Sequence, residues 1–308
     1  VTGFDVVVVG SVNRDYVCRV DVLPAPGETV LGGEASVGSG GKGGNQAVAA
    51  SLLGARTALV ARVGRDDDGR ALATDLAAAW VDTTEMAATS ARTGMAFVMV
   101  DAHGENSIVV APGANLLLEA ATTARAVRER LSSTGVLVVQ AEIPEAAFDA
   151  AVRAAGEVGA RAVVNLAPYR PVPAEVLALC DPLVVNESEA SGLLGREVRG
   201  REEATRAARE LSGRARSVVV TIGAAGAIVA CGDQVDHVPA QVSRVVDTTG
   251  AGDAFTGALA AALSAGIGLV DAARVGVRAG SYAVARPGAQ ASFPRGSELG
   301  LGSLHKRG

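Results

Sequence analysis

The sequence predicts an α/β fold built on a largely parallel β-sheet covered by helices on both faces. Three observations predict it. Short apolar, β-branched runs recur without polar alternation, as strands buried on both faces do. Helical patterns stand between these runs, the alternation expected of βαβ units. The 38 glycines follow no collagen-like period and sit at turns and strand ends, where positive φ or close backbone approach is needed.

The first strand is Val6–Val9, and GSVNRD follows it. Ligands of open α/β sheets bind outside the carboxyl ends of the strands. Asn13 and Asp15 alternate, so in extended chain they point the same way. An amide and a carboxylate suit a vicinal diol, and the same residues also read as an Asx turn. Tyr16–Val37 reads as extended chain with turn signals. SGGKGGNQAVAASLLG then opens a helix over Asn45–Leu53. Gly38, Gly40 and Gly43 satisfy GxGxxG, but no core strand precedes them and no acid is well placed after them, so a dinucleotide fingerprint is disfavoured. Lys42 is followed by Gly43 rather than Ser or Thr, which excludes a Walker A loop. What remains is bare backbone, a cation and the Asn45 amide, able to meet several hydroxyls; a plain glycine turn with a solvated lysine is the other reading.

A strand is predicted over Ala58–Val63 and a helix over Gly69–Ala79, with Asp66, Asp67 and Asp68 as first-turn acids. Their spacing is not that of an EF-hand. Thr93–Val110 is again extended chain, turning at DAHGEN and apolar on both faces. Such a segment suits a small sheet projecting as a lid, or an ordinary surface hairpin. Strand Val136–Gln140 precedes Glu142 and helix Pro144–Val158. Strands Ala162–Asn165 and Leu183–Val185 follow, then helices Glu187–Leu194 and Arg201–Leu211, then strand Ser217–Thr221. In NESEA, Asn186 and Glu189 have capping-box spacing, the better account of them from spacing alone. TIGAAG, Thr221–Gly226, is a strand end entering a glycine turn and a weak phosphate signal.

VVDTTGAGDAFTGALAAAL, Val245–Leu263, is the most informative stretch. Gly250, Ala251 and Gly252 present backbone N–H groups where a helix starts, and the helix dipole favours an anion there. As a mere first-turn acid Asp253 contributes about 0.3–1 kcal/mol, a role that does not need the glycines. An anion site with a carboxylate at its edge is the layout phosphoryl transfer requires: one part stabilises the transferring group, the other accepts the nucleophile's proton.

Composition narrows the function. Hydrophobic residues are 49% and charged residues 20% of 308, enough for a large core in one large domain or two ordinary ones. Net charge is −5 without a Lys/Arg cluster, and aromatics are 3%, which argues against nucleic acid and anionic membrane as partners. Cys18, Cys180 and Cys231 are scattered, as are His103, His237 and His305, so neither a disulfide framework nor a zinc site is expected. No signal-peptide pattern precedes VVVVG, and the run Thr256–Val270 is short and glycine-punctuated for a membrane span. A soluble, cytoplasmic protein is expected. No repeat or domain boundary is evident.

GSVNRD, PAPGETV, GGKGGNQAVAA, PGAN (Pro112–Asn115), NESEA, TIGAAG, DTTGAGDAF and RPGAQAS occur in this order across nearly the whole chain. Together they resemble the phosphofructokinase-B-type (ribokinase-like) carbohydrate kinase family, with GSVNRD and GGKGGNQAVAA similar to its ribose-phosphorylating branch. The resemblance implies one domain over 1–308, a Rossmann-type three-layer α/β/α sandwich with a small β-sheet lid from about 14–38 and 93–111. It implies transfer of phosphate from ATP to the 5-hydroxyl of D-ribose, giving D-ribose 5-phosphate and ADP. Deoxyribose, fructose or a nucleoside are the alternative acceptors. It implies Asp253 as catalytic base and Gly250, Ala251 and Gly252 as anion hole. Asn13, Asp15, Gly41, Lys42, Asn45, Glu142 and Asp253 match sugar-binding positions. Asn186, Thr221, Gly223, Gly226, Gly252 and Val277 match ATP-binding ones. Glu189 matches a position tied indirectly to Mg2+, and Asp247, Thr249, Ala283, Arg286, Gly288 and Ser292 match a K+ site. A homodimer through the lid is implied as well.

Three residues depart from the family pattern: Leu166 replaces a proline, Val277 a polar residue near adenine, and Pro112 precedes Gly113. None removes a catalytic group. A non-catalytic sugar-binding regulator on the same fold is disfavoured by the intact Asp253 and its glycines, and a dinucleotide oxidoreductase by the context of its GxGxxG.

Overall fold

The computed structural model describes residues 3–103, 106–241 and 244–301. His305 and the Gly104–Glu105 pair of the DAHGEN turn lie outside the described residues.

In chain order the strands are β1 (Phe4–Val9), β2 (Asn13–Arg19), β3 (Ala35–Gly40), β4 (Thr57–Gly64), β5 (Val81–Asp82), β6 (Met86–Thr89), β7 (Gly94–Val100), β8 (Asn106–Ala111), β9 (Leu131–Gln140), β10 (Arg161–Asn165), β11 (Cys180–Asn186), β12 (Val218–Thr221), β13 (Ala227–Cys231) and β14 (Gln234–Val238). The helices are α1 (Lys42–Leu52), α2 (Asp67–Ala78), α3 (Ala120–Arg130), α4 (Glu145–Glu157), α5 (Ala174–Leu177), α6 (Glu187–Leu194), α7 (Gly200–Ser212), α8 (Ala251–Ser264) and α9 (Leu269–Ala283).

Ten strands form the main sheet in the order β14-β13-β12-β11-β10-β9-β1-β4-β5, with β6 also paired to β4. From β12 to β5 the pairing is parallel, and the hairpin β13–β14 adds an antiparallel edge. Alternate residues of each strand feed opposite cores. Val6, Val8, Val138 and Val184 join one cluster with α1, α8 and α9. Val7, Val9, Val139 and Val185 join the other with α4 and α7. This is the three-layer sandwich, and the unbroken apolar runs are its consequence, because both faces of the sheet are covered.

Some elements differ from the sequence expectation. β9 begins at Leu131 rather than Val136, through a half-exposed polar stretch that the apolar run does not reveal. α1 begins at Lys42, among glycines that disfavour a helix, because tertiary contacts override propensity there. Asp66 is the N-cap of α2, and only Asp67 and Asp68 lie in its first turn.

β3-β2-β7-β8 form a separate four-stranded sheet. β2 pairs antiparallel with β3 and parallel with β7, whose hairpin partner is β8. Asp66 ties this sheet to α2. Asp66 Oδ1 accepts from the Gly69 N–H at 2.9 Å and the Thr93 hydroxyl at 2.5 Å, and Oδ2 accepts from the Thr93 N–H at 2.9 Å. Thr93 directly precedes β7. Asp66→Ala removes a helix cap and this clasp together. Chemical denaturation should show a loss of about 1–2 kcal/mol for Asp66→Ala. Asp67→Ala, at a side chain 97% exposed, should change it by less than about 0.5 kcal/mol.

Candidate active site

Polar residues close the carboxyl ends of neighbouring strands: Gln140 on β9, Asn165 on β10, Asn186 on β11 and Thr221 on β12. In register Gln140 faces Asn165, and Asn186 faces Thr221. The N-termini of α1 and α8 meet over this edge. Gly41 starts α1 at φ +82, and a Cβ there would lie 2.7 Å from the Asn13 nitrogen. Only glycine allows the loop after β1 to lie against α1 this closely.

Asp253, in the first turn of α8, is 7% exposed. Its Oδ2 accepts from Asn45 Nδ2 at 2.9 Å and its Oδ1 from Gln46 Nε2 at 2.8 Å. Asn45 Oδ1 accepts from Gln290 Nε2 at 3.0 Å. Each polar end of the Asn45 amide thus makes one bond to protein and keeps one N–H and one lone pair.

Beyond β1, Asn13 is 3% exposed, and its Oδ1 accepts from Asn115 Nδ2 at 2.8 Å. Asn115 also bridges the Val12 N–H and carbonyl, at 3.0 and 3.1 Å. Glu142 Oε2 accepts from the Ser11 hydroxyl at 2.5 Å and from the Lys42 N–H at 3.3 Å, joining the β1 loop to α1. Asp15 Oδ1 is buried without a hydrogen-bond partner. Burial first, then the nearby Glu142 and Asp253 carboxylates, raise the Asp15 pKa to about 7 against the pull of Arg14. Burial alone would depress the Lys42 ammonium, but Asp253, Glu142 and Glu189 raise it above its ordinary value. A buried polar atom without a partner and a cation between carboxylates are what a polyhydroxylated, phosphate-bearing complex would satisfy.

A mostly apolar cleft of about 490 Å³ lies beside this cluster. Thr221, Gly223, Gly226, Ala251, Gly252 and Val277 line it, with Gln241, Val245, Phe255, Ser281 and Val284, which the sequence did not single out. Val277 and Phe255 give it the character of a site for a planar ring. Asn186 sits at the neighbouring strand end as N-cap of α6, in a capping box with Glu189. Burial raises the Glu189 pKa, against the Asn186 N–H and Lys42.

Gly250, Ala251 and Gly252 lie at the start of α8. Gly250 is its N-cap at φ +74, and the first-turn donors of a helix have no partner within it. The Ala251 N–H turns back to the Thr248 carbonyl at 3.3 Å, a long bond. Nearby, Asp247 ties two loops together: Oδ1 accepts from the Thr249 N–H at 2.9 Å and Oδ2 from the Gly288 N–H at 2.8 Å. Burial works against the Asp247 carboxylate, yet these bonds hold its pKa below the ordinary value. The Ala283 carbonyl takes the Arg286 N–H, and the Ser292 hydroxyl donates to Ala289 O. Arg286 itself stacks on the Tyr282 ring at 3.5 Å.

Ser11, Gln46, Asn115, Asn165 and Gln290 were not predicted as site residues. Four lie beside or within motifs already quoted, GSVNRD, GGNQ, PGAN and RPGAQAS, and Asn165 ends a predicted strand. Among the described residues no helix is long and apolar enough to cross a membrane, and no cluster of three or more His, Cys, Asp or Glu could hold a metal ion. The three cysteines are free thiols.

Comparison with known proteins follows the same lines. The family model for pfkB family carbohydrate kinases matches residues 4–295. A ribokinase of Haemophilus influenzae is 36% identical over 293 residues, 94% of this chain and 95% of the relative. A deoxyribokinase of Salmonella typhi is 32% identical over 295 residues, 94% of this chain and 95% of the relative. The structure of Arabidopsis thaliana ribokinase complexed with ribose and ATP superposes with a TM-score of 0.87 at 30% identity, covering 96% of this chain and 97% of that one.

The raised Asp15 pKa has a consequence for stability. Between about 4 and 7 the folded state holds a proton here that the unfolded chain has released, so this group's contribution is present at low pH and lost as pH rises through 7. Without sugar, Asp15→Asn should therefore be more stable than wild type at pH 8, by at least about 1 kcal/mol, with the gap closing toward pH 4. Denaturation curves at both pH values check this.

Proposed function

The chain belongs to the pfkB family of carbohydrate kinases, and within it we infer an ATP-dependent kinase that phosphorylates D-ribose at the 5-hydroxyl, giving D-ribose 5-phosphate and ADP. One observation carries the reading. Gly252 lines the apolar cleft while the next residue, Asp253, bonds to Asn45 within the polar cluster, so one helical turn touches both halves of the site. The ribose-and-ATP complex of a relative at 30% identity supports assigning these halves to nucleotide and sugar.

The residues then have these roles. Asn13, Asp15, Gly41, Lys42, Asn45 and Glu142 surround the sugar, directly or by fixing its neighbours. Asp15 Oδ1, buried without a hydrogen-bond partner, would accept from ribose hydroxyls. Thr221, Gly223, Gly226 and Val277 border the nucleotide, with Asn186 at its phosphate end. Asp253 accepts the proton of the 5-hydroxyl as its oxygen bonds to the γ-phosphorus and the bond to the ADP oxygen breaks. The free N–H groups at the start of α8 and the Lys42 ammonium stabilise charge on the transferring phosphoryl group.

Mg2+ and K+ belong to the proposal. Glu189 fits an indirect role toward Mg2+: Oε2 is taken by the Asn186 N–H, and Mg2+ is commonly held through water and substrate phosphates. An ionised Asp247 with the carbonyls and hydroxyl of Thr249, Ala283, Arg286, Gly288 and Ser292 is an all-oxygen donor set suited to a large, weakly hydrated K+. Mg2+ would neutralise phosphate charge, and K+ would draw together the loops beside the anion hole. A homodimer through the small sheet is supported by its half-exposed outer residues Val37, Phe97 and Val109. A cytoplasmic location accords with the free thiols.

Deoxyribose is the second reading, favoured by the Salmonella typhi relative. An ADP-release screen over pentoses, hexoses and nucleosides decides between them. Asp253→Asn should lower turnover about a hundred- to ten-thousandfold with ribose binding still measurable by calorimetry. Retained turnover would remove Asp253 from the chemistry. Turnover should be faster in K+ than in Na+, and equal rates would contradict the proposed cation loop.

A further inference from the structure

Behind Asp253 lies a chain of amide side chains to which no role has been given. Gln46 Nε2 donates to Asp253 Oδ1 at 2.8 Å and to Asn165 Oδ1 at 2.9 Å, while Gln46 Oε1 accepts from Gln140 Nε2 at 2.6 Å. Asn165 Nδ2 donates to the Val184 carbonyl at 3.3 Å.

Both ends of this chain are acceptors only: a backbone carbonyl at one, a carboxylate at the other. They dictate the orientation of Gln46 and Asn165 between them, and Gln46 Oε1 in turn that of Gln140, a branch whose own Oε1 is buried without a partner. Reversing Gln46 would set its oxygen against Asp253 Oδ1 and Asn165 Oδ1, and its NH2 against that of Gln140. Gln46 and Gln140 are both 0% exposed, so neither has surface to offer a substrate. A Cβ on Gly10 would fall 1.9 Å from Gln140 Oε1, so the glycine after β1 makes room for the lock.

We propose that Gln46 is a positioning residue for phosphoryl transfer: it fixes the plane of the Asp253 carboxylate and covers one of its oxygens with a neutral donor, without touching sugar or nucleotide. The proposal rests on the reading of Asp253 as the base. A carboxylate held by one amide on each oxygen, Gln46 and Asn45, presents the same remaining lone pairs to the hydroxyl at every turnover. A base free to rotate would lose alignment with the attacking oxygen.

The test is Gln46→Met in the full chain. Turnover should fall about ten- to a hundredfold. The calorimetric Kd values for ribose and a non-hydrolysable ATP analogue should stay within about twofold of wild type. Gln46→Glu adds a signature that a structural role would not give: its acid form donates to the same oxygen, so its turnover relative to wild type should rise as pH falls. A Gln46→Met kcat within about twofold of wild type, or a loss confined to affinity, overturns the proposal. Should Gln46→Met not fold, Gln140→Met, which frees the Gln46 amide, takes its place with the same expectation, and an unchanged kcat there overturns it. Asp253→Ala measured alongside separates the two claims. If that variant keeps its turnover, the base assignment fails whatever Gln46 does.

Discussion

The site depends on how closely α1 approaches α8. A Cβ on Gly257 would stand 2.5 Å from the Gln46 carbonyl oxygen and 2.6 Å from the Ala49 Cβ, so the two helices touch backbone to side chain. This contact lets Asn45 and Gln46, which are consecutive on α1, reach different oxygens of one carboxylate on α8. Any larger residue at 257 would separate the helices and leave the buried acid without donors. A carboxylate removed from water needs hydrogen-bond donors in the place of that water.

Around that acid the protein gathers like charges. Asp253, Glu142 and Glu189 act on Lys42, Glu142 and Asp253 also act on Asp15, and the pKa values of Asp15 and Glu189 are raised first by burial. This crowding of carboxylates is unfavourable, and the Lys42 ammonium offsets part of it. Hydrogen-bond donors brought to these oxygens would relieve the crowding, whereas a further anion would have to be matched by Lys42 and by backbone N–H groups.

The architecture was readable because buried parallel strands are written as unbroken apolar runs, such as Val6–Val9 and Val218–Thr221. The capping pair Asn186 and Glu189 was readable from spacing alone, and the capping box is present. The β13–β14 hairpin was not read. Its outer strand, QVDHV, alternates weakly and pairs on one edge only. α9 was missed because Gly276 and Gly280 interrupt its pattern; Gly276 is there to admit the Phe255 ring, whose atoms lie 2.9 Å from where its Cβ would be. In the site, chain order could mark Asn45 and Asp253 as polar residues near glycines. It could not reveal that a residue 245 positions away, Gln290, bonds to the Asn45 amide. Such pairs exist only once distant loops are folded together.

The small sheet is stitched from two hairpin-like halves, β2–β3 and β7–β8, joined by the parallel pairing of Asn13–Arg19 with Gly94–Val100. Between the halves the chain lays down α1, β4, α2, β5 and β6. Its central seam therefore closes a long loop, an entropic cost that the local hairpin pairings do not carry. The small sheet thus holds together segments far apart in the chain, and its integrity depends on the folding of everything laid down between them.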